Sequence, residues 1–458
     1  MRATPLEAVL HTVDDRAELF IADLQRVMRQ PSVTENEADC EACAELVAAM
    51  MMGEIGLDAE VLPSRHNPVV VGRSAQRPER PTLLITGHYD VVSPGPDEDW
   101  ISPPFAAERR DGDIIGRGAA DPKGNLAAGL KAAQAWIEAA GDLPVNLKFM
   151  IEGDDESETG HLGEFVDAHR ELLRADAVLL LDAGFTRDGN SPIHLGTAGS
   201  LAVELQARTG TKEPYFIWTQ LIPDAAFRLV WALATLKDAD ERVCVEGFYD
   251  NVQAATPAEL ALMAEYPWHD ESELEFWGIP QFVTGARGVE AIRRLLYEPT
   301  CSIHGIEPGL DRPNATSLIP CAARAWVNFH LVPEQDPDDI LAKLRHHLDR
   351  HGFGDIEIEV LRRFKPIPGS ADSPLGQALL RGAGQVGVST YLLPHSFEFG
   401  DKWCWIGQRL GVEGALIGVA DPDRRAHFPN EHITVPYYLN GIKWVAATFW
   451  EYSHAGQT

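Results

Sequence analysis

The sequence predicts an α/β protein with two domains, the smaller one inserted into the larger. Between residues 82 and 181, apolar runs typical of buried strands alternate with stretches typical of helices, which favours a layered domain around a mixed, mostly parallel sheet. Past residue 182, a separate strand–helix–strand pattern predicts a small α+β layer. The first pattern returns near residue 374. We therefore expect the larger domain to comprise 1–198 and 363–458, and the inserted domain 199–362.

The elements of the larger domain follow from hydrophobic spacing. Apolar residues at helical intervals predict helices over 14–29 and 37–52, and Pro31 stops the first pattern. Strands and helices then alternate along the chain. The predicted strands are 82–87, 145–151 and 177–181, and the predicted helices are 125–140 and 162–173. After the inserted domain we expect a helix over 374–387 and a buried strand over 415–419.

The inserted domain also shows the hydrophobic spacings of strands and of helices, in a shorter segment of the chain. Alternation of apolar and polar residues predicts strands, and spacing of three to four residues predicts helices. In chain order these are a strand over 200–208, a helix over 223–236, a strand over 322–332, a helix over 336–351 and a strand over 356–361. The stretch 238–299 is long and polar and contains prolines.

Composition and charge narrow the class of protein. The 458 residues are 45% hydrophobic and 24% charged, which excludes a disordered or collagen-like chain. The net charge of −30 argues against nucleic acid or an anionic membrane as a partner. No apolar run approaches a bilayer span, the N-terminus lacks a signal pattern, and six scattered cysteines indicate no disulfide framework. We expect a cytoplasmic enzyme.

Side chains that can bind metal follow three of the predicted strands. His88 and Asp90 come directly after the first strand. A cluster that ends in Glu156 follows the second strand, and Asp182 follows the third. Open α/β sheets place their sites where the carboxyl ends of strands converge. Because imidazole and carboxylate groups are common metal ligands, the pattern predicts a metal site at this edge.

Two further segments add candidates. The glycines of segment 116–124 either simply permit a turn or point Asp121 into the site. Segment 426–431 follows the strand predicted at 415–419 and supplies His427. A lone histidine in such a place is more often structural, so its interpretation depends on the motif around it.

Taken in order, these motifs resemble those of the dinuclear-metal aminoacylase family. That family includes acetylornithine deacetylase, succinyl-diaminopimelate desuccinylase, carboxypeptidase G and carnosinase-type dipeptidases. The matching motifs are His88-x-Asp90, Gly116-Arg-Gly-Ala-Ala-Asp121-x-Lys-Gly124, Glu152-Gly-Asp-Asp155-Glu156, Asp182 and His427-x-Pro-Asn-Glu431. The resemblance covers nearly the whole chain. It implies that the inserted domain is a lid through which two copies form a homodimer.

The resemblance also implies roles for the motif residues. It implies two divalent metal ions per subunit, with zinc expected and cobalt or manganese compatible with the same ligands. The implied metal ligands are Asp121 for both ions, His88 and Asp182 for one ion, and Glu156 and His427 for the other. Asp90 would fix the tautomer of His88. Asp155 would be the general base that takes a proton from water and returns it to the leaving amine.

The implied activity is hydrolysis of a C–N bond in a small molecule such as a dipeptide or an N-acyl amino acid. Two alternatives stay open. Tyr215, Phe216 and Trp218 in the inserted domain favour an atypical member that cleaves a non-peptide, aromatic C–N bond. The other alternative is a paralogue that binds metal without turnover.

The chain departs from the family where the substrate would bind. Asp155 replaces a glutamate and is one methylene shorter. Segment 210–219 lacks the histidine of the family's His-Ser-Gly-like segment, and 395–402 replaces a glycine-rich turn. His330 stands where the family has an arginine, and His304 stands where it has an asparagine that contacts substrate. We interpret these changes as altered specificity, with His304 as a candidate substrate contact.

Pro122 predicts one feature of the backbone. The family has a non-proline residue after its bridging aspartate and commonly a cis peptide bond there. Because the cis form is common only before proline, we expect a cis bond between Asp121 and Pro122.

Overall fold

The computed structural model describes residues 4–157, 162–186, 189–309, 317–394 and 402–455. The chain divides into two compact units. The larger unit combines Met1–Gly196, Gly369–Pro394 and Lys402–Thr458, and the inserted unit comprises Thr197–Pro368. Segment 395–401, which holds most of the replaced glycine-rich turn, lies outside the described residues.

Strands and helices are numbered here in chain order. The strands are β1 (Asp58–Leu62), β2 (Val69–Arg73), β3 (Thr82–His88), β4 (Glu108–Arg110), β5 (Asp113–Ile115), β6 (Asn146–Glu152), β7 (Ala177–Gly184), β8 (Ser191–His194), β9 (Gly199–Arg208), β10 (Thr300–Glu307), β11 (Ala322–Leu331), β12 (Glu357–Phe364), β13 (Thr390–Leu393), β14 (Glu413–Ala420) and β15 (His432–Thr434). The helices are α1 (Pro5–Asp15), α2 (Ala17–Arg29), α3 (Glu37–Met50), α4 (Lys123–Ala140), α5 (Leu162–Ala168), α6 (Arg170–Leu173), α7 (Ala225–Leu233), α8 (Pro257–Glu265), α9 (Asp270–Trp277), α10 (Val289–Tyr297), α11 (Pro337–Arg350), α12 (Pro374–Val386), α13 (Lys402–Leu410) and α14 (Val435–Ser453). Among these helices, none has both the length and the apolar character needed to cross a bilayer.

An eight-stranded sheet forms the centre of the larger unit, in the order β1-β2-β6-β3-β7-β14-β8-β13. The four strands from β6 to β14 run parallel to one another, as do β8 and β13. The pairs β1–β2, β2–β6 and β14–β8 are antiparallel. The predicted α/β class with a mixed, mostly parallel sheet is therefore confirmed.

Helices cover both faces of this sheet. The apolar run of β3 alternates between two cores, because Leu83 and Ile85 face one side and Leu84 faces the other. The first core is completed by side chains of α1, α4, α12 and α14. The second core is completed by α5 and α13. A small sheet in the order β15-β5-β4 also belongs to the larger unit.

The inserted unit is built on a four-stranded antiparallel sheet in the order β10-β11-β9-β12. Alternate residues of β9, including Leu201, Val203 and Leu205, pack into a core with α7 and α11. β9, β11 and β12 lie where the sequence predicts strands, whereas β10 was not expected.

The polar stretch 238–299 contains three helices, α8, α9 and α10. Each helix has only eight or nine residues, so its apolar period covers few turns. Pro257 occupies the first turn of α8, and Thr256 with Glu259 forms a capping box. Short helices of this kind are difficult to distinguish from polar loops by composition.

Candidate metal centre

Neighbouring parallel strands bring the first candidates together. β3 lies between β6 and β7 and runs parallel to both. His88 is the last residue of β3, and the loop after β6 carries Asp155 and Glu156. Asp182 lies within β7, which continues to Gly184 instead of ending before the aspartate as expected. The same edge of the sheet therefore presents an imidazole and three carboxylates.

His88, Asp121 and Asp182 form the first group of potential ligands. The Nε2 atom of His88 lies 3.2 Å from Oδ1 of Asp121 and 3.3 Å from Oδ1 of Asp182. Only 2% of the His88 side chain is exposed. Its Nδ1 atom lies 3.1 Å from Oδ1 of Asp90, which leaves Nε2 directed at the two other carboxylates.

Asp121, Glu156 and His427 form the second group. The Nε2 atom of His427 lies 3.1 Å from Oδ2 of Asp121 and 3.1 Å from Oε1 of Glu156. The His427 side chain is 50% exposed, so this group is open to solvent. Within each group the ligand atoms all lie within 4.8 Å of one another, which is close enough to surround one cation.

Asp121 belongs to both groups because each of its carboxylate oxygens lies near a different histidine. The segment that carries it turns tightly. Gly118 has a φ of +86°, and a Cβ on Gly124 would lie 2.3 Å from the carbonyl oxygen of Ala119. The peptide bond between Asp121 and Pro122 is cis, which confirms that prediction.

Asp90 links His88 to the loop that carries Asp155 and Glu156. Its Oδ1 atom also accepts a hydrogen bond from the backbone N–H of Asp155, at 3.2 Å. Its Oδ2 atom accepts from the backbone N–H of Glu156 at 3.1 Å and from Thr34 Oγ1 at 2.8 Å. Burial alone would raise the pKa of Asp90, but these hydrogen bonds and that from His88 lower it. A fixed carboxylate therefore orients both the imidazole and the loop.

The pKa shifts reflect carboxylates crowded around two imidazoles. Burial alone would lower the pKa of His88, but Asp155, Asp182 and Asp121 raise it well above its usual value. Hydrogen bonds to its two carboxylate neighbours raise the pKa of His427 to about 10. Burial raises the pKa of Asp182 to about 7, and the charges of Asp121 and Asp155 add to this. Cations placed among these groups would relieve the repulsion between carboxylates.

This set of donors fits two divalent cations. Each group offers one imidazole nitrogen and two carboxylate oxygens, which are ligands that zinc, cobalt and manganese accept. The contact between Asp90 and the far nitrogen of His88 is the outer contact that metal-bound imidazoles usually make.

Comparison of the sequence with known protein families identifies the family to which this chain belongs. The model of peptidase family M20/M25/M40 matches residues 84–451, a range that includes every motif described above. The chain belongs to this family. Membership confirms the resemblance read from the sequence. The protein is therefore a metal-dependent hydrolase of peptide-type C–N bonds, in a family of dinuclear metal peptidases.

Several known proteins are similar along most of the chain. The Beta-Ala-His dipeptidase of Rattus norvegicus is 26% identical over 423 residues, which cover 87% of this chain and 83% of the relative. The Cys-Gly metallodipeptidase DUG1 of Candida albicans is 24% identical, with 96% of each chain covered. The crystal structure of an M20 family metallo-carboxypeptidase from Sulfolobus solfataricus has a TM-score of 0.84 and 29% identity, and the match covers 95% of this chain and 99% of that one.

Two residues at positions that depart from the M20 pattern lie in the inserted unit. His304 is exposed on β10, with Nε2 lying 3.0 Å from Oγ of Ser302. His330 lies on β11 between Thr300 and Ser200 of the neighbouring strands, and burial lowers its pKa. Neither histidine belongs to the two ligand groups found among the described residues. The role of His304 as a substrate contact stays a prediction.

Two buried residues that support the site lie outside every motif. Besides its bond to Asp90, Thr34 accepts at its carbonyl a hydrogen bond from Nδ2 of Asn67, at 3.0 Å. The same Asn67 amide donates to the carbonyl of Gly153 at 2.6 Å and so holds the loop that leads to Asp155. Because Thr34 and Asn67 are distant in sequence from the motifs, no spacing signal could have identified them.

Asn125 supports the other side of the site. Its side-chain amide donates to the carbonyls of Ala120 and Ala183, each at 3.1 Å. Its Oδ1 atom accepts from the backbone N–H of Val419 at 2.8 Å. One buried side chain thus joins the segment before Asp121 to β7 and β14. The sequence signal that could have pointed to Asn125 is its position directly after the glycine-rich motif.

Proposed function

We propose that this M20 enzyme is a dipeptidase with two zinc ions in its centre. His88 and Asp182 would hold one ion, Glu156 and His427 the other, and Asp121 both. The observation that carries this assignment is the shared carboxylate, whose two oxygens lie 3.2 Å and 3.1 Å from the Nε2 atoms of His88 and His427. Among the described residues, no other carboxylate belongs to both ligand groups.

The proposed preference for dipeptides is supported by the relatives. Two of them are named as dipeptidases for Beta-Ala-His and Cys-Gly, and they match most of this chain. The Sulfolobus relative is named as a metallo-carboxypeptidase. The length of the preferred peptide is therefore the property that an assay has to decide.

Asp155 is the residue to which we assign proton transfer. Its backbone N–H is held by Asp90, and its carboxylate lies near enough to His88 and Asp182 to raise the pKa of both. Bound divalent cations would lower the pKa of a water molecule and polarise the carbonyl of the scissile bond. Asp155 would take a proton from water and deliver it to the leaving amine, while Asp90 keeps the loop in place.

We further propose that the inserted unit is a lid through which two copies form a homodimer. Helix α7 buries Leu229 in the core of this unit but leaves Phe227, Val230 and Trp231 exposed. Phe227 and Trp231 pack together with ring centroids 5.7 Å apart. Contiguous exposed apolar side chains of this kind often mark an interface between proteins. Sedimentation should find a dimer at micromolar concentration, and Phe227→Ser with Trp231→Ser should shift it to monomer. A monomeric wild-type chain would contradict the proposal.

A cytoplasmic location is also proposed. Cys40, Cys43, Cys244, Cys301 and Cys321 all carry free thiols, which persist in reducing compartments. Cell fractionation should recover the protein in the cytoplasm, and recovery from an oxidising compartment would contradict this.

Cleavage of an aromatic C–N bond is the second candidate function. Tyr215, Phe216 and Trp218 are about half exposed rather than packed in the core of the inserted unit. Aromatic rings in that state can contact an aromatic ligand.

The test combines a metal count with a panel of substrates. The full chain is stripped with a chelator, reloaded with zinc, and assayed on dipeptides, on longer peptides with the same C-terminus, on N-acyl amino acids and on aryl amides. We expect activity to disappear with the metal, to return with zinc, and to be highest on dipeptides. Turnover confined to aryl amides would establish the second candidate. Two bound ions without turnover on any amide would contradict both.

A further inference from the structure

Glu431 is a buried carboxylate in contact with the segment that carries Asp121. Its side chain is 0% exposed. Its Oε1 atom accepts hydrogen bonds from the backbone N–H groups of Ala120 and Asp121, each at 2.9 Å. Its Oε2 atom accepts from the backbone N–H of Gly118 at 3.0 Å and from Nη1 of Arg117 at 2.6 Å. A single side chain thus receives four hydrogen bonds from one turn.

The segment before Glu431 needs support from its surroundings. Arg425, His427 and Asn430 have φ angles of 52°, 65° and 65°. Residues other than glycine rarely adopt this left-handed conformation, and they keep it only where neighbouring contacts hold them. The Asn430 side chain supplies two such contacts, since it accepts from the N–H of Ile101 at 2.8 Å and donates to the carbonyl of Asp99 at 3.2 Å. Glu431 holds the other end of the same segment.

We propose that Glu431 is a positioning residue that holds the segments of Asp121 and His427 against each other. The inference rests on the metal-ligand assignment made above. The N–H of Asp121 is itself a donor to Glu431, so displacement of the Glu431 carboxylate displaces Asp121. His427 lies four residues before Glu431 on the held segment. Glu431 therefore controls whether Asp121 can reach both histidines.

Only a carboxylate satisfies this position. All four partners are donors, so acceptors are needed on both oxygens, and a glutamine would direct its NH₂ group at two of them. Arg117 supplies the balancing charge. Its side chain is buried, and its guanidinium lies 5.3 Å from the centre of the Trp100 ring.

The test compares Glu431→Gln with a control in the same unit. Glu413 lies at the opposite end of β14 from Ala420 and accepts a hydrogen bond from the N–H of Leu375 at 3.0 Å, so Glu413→Gln removes a structural carboxylate away from the metal centre. Thermal unfolding of the metal-free chain is measured together with Co²⁺ affinity and the Co²⁺ absorption spectrum. We expect Glu431→Gln to weaken binding of both ions by roughly 10–100-fold, as changes to outer contacts of metal ligands do, and to alter the spectrum. Glu413→Gln should change only the unfolding temperature.

Unchanged affinity for both ions in Glu431→Gln would overturn the positioning role, whatever the unfolding temperature. If that variant does not fold, Glu431→Asp takes its place, because it keeps a negative charge beside Arg117 but withdraws from the N–H groups of Ala120 and Asp121. It should also bind Co²⁺ more weakly, and unchanged affinity would again overturn the proposal. A wild-type chain that does not bind two ions would instead contradict the proposed function.

Discussion

The two halves of the proposed metal centre are held by different kinds of contact. His88 ends a central strand, is buried, and is held by the buried carboxylate of Asp90. His427 is half exposed on a loop with left-handed residues, and that loop depends on polar contacts around Asn430 and Glu431. The core of the sheet therefore sets the first half, and side-chain hydrogen bonds set the second. Asp121 is the residue in which the two halves meet.

The largest effect is expected from Asp121→Ala, because this residue serves both halves. Binding of each ion should weaken by at least the roughly 10–100-fold that changes to outer contacts cause, and hydrolysis should be lost. Equilibrium dialysis with elemental analysis measures the bound metal. Asp372→Ala, at an exposed aspartate in the larger unit, is the control. One ion kept at wild-type affinity would mean that the halves are independent.

Asp155→Asn should affect turnover without affecting either half. We expect kcat to fall by roughly 10²–10⁴-fold, the usual contribution of a general base, with two ions still bound. Steady-state kinetics and a metal count check this. Asp155→Glu should keep part of the rate that Asp155→Asn loses, because glutamate also accepts a proton. Its carboxylate lies one methylene further from the backbone, so we do not expect the full rate. Loss of metal in Asp155→Asn would assign Asp155, and not only Glu156, to the ligands.

The smallest expected effects are on the free energy of unfolding, and they compare the loss of His88 with the loss of His427. In the metal-free chain, His88→Ala removes a buried partner of Asp90 and should lower the free energy of unfolding by about 1–3 kcal/mol. His427→Ala removes a half-exposed contact and should cost about 1 kcal/mol or less. Urea unfolding of both variants measures the difference. Equal losses would mean that burial does not separate the two halves.

The same contrast explains what the sequence could predict. Apolar runs identified β3, β6 and β7, and the polar residues after them pointed to His88 and Glu156, because parallel strands end at one edge. Asp182 was also identified, although β7 continues past it through a register irregularity opposite Gly418. These strands could be predicted because each depends on a hydrophobic pattern within a short stretch of sequence.

Features that depend on tertiary contacts were not predictable in this way. The contacts of Thr34 and Asn67 with the site join segments far apart in sequence, and no periodicity reports them. The left-handed backbone around His427 depends on contacts that only the folded chain provides. His427 follows the strand predicted at 415–419 in the sequence, but its assignment to the site depended on the motif around it.

The most direct test of the account is crystallography of the zinc-loaded protein with anomalous data collected at the zinc edge. The account predicts two anomalous peaks per chain, with Oδ1 of Asp121 bound to the ion beside His88 and Oδ2 bound to the ion beside His427. A single peak, or two peaks with Asp121 bound to only one of them, would contradict it.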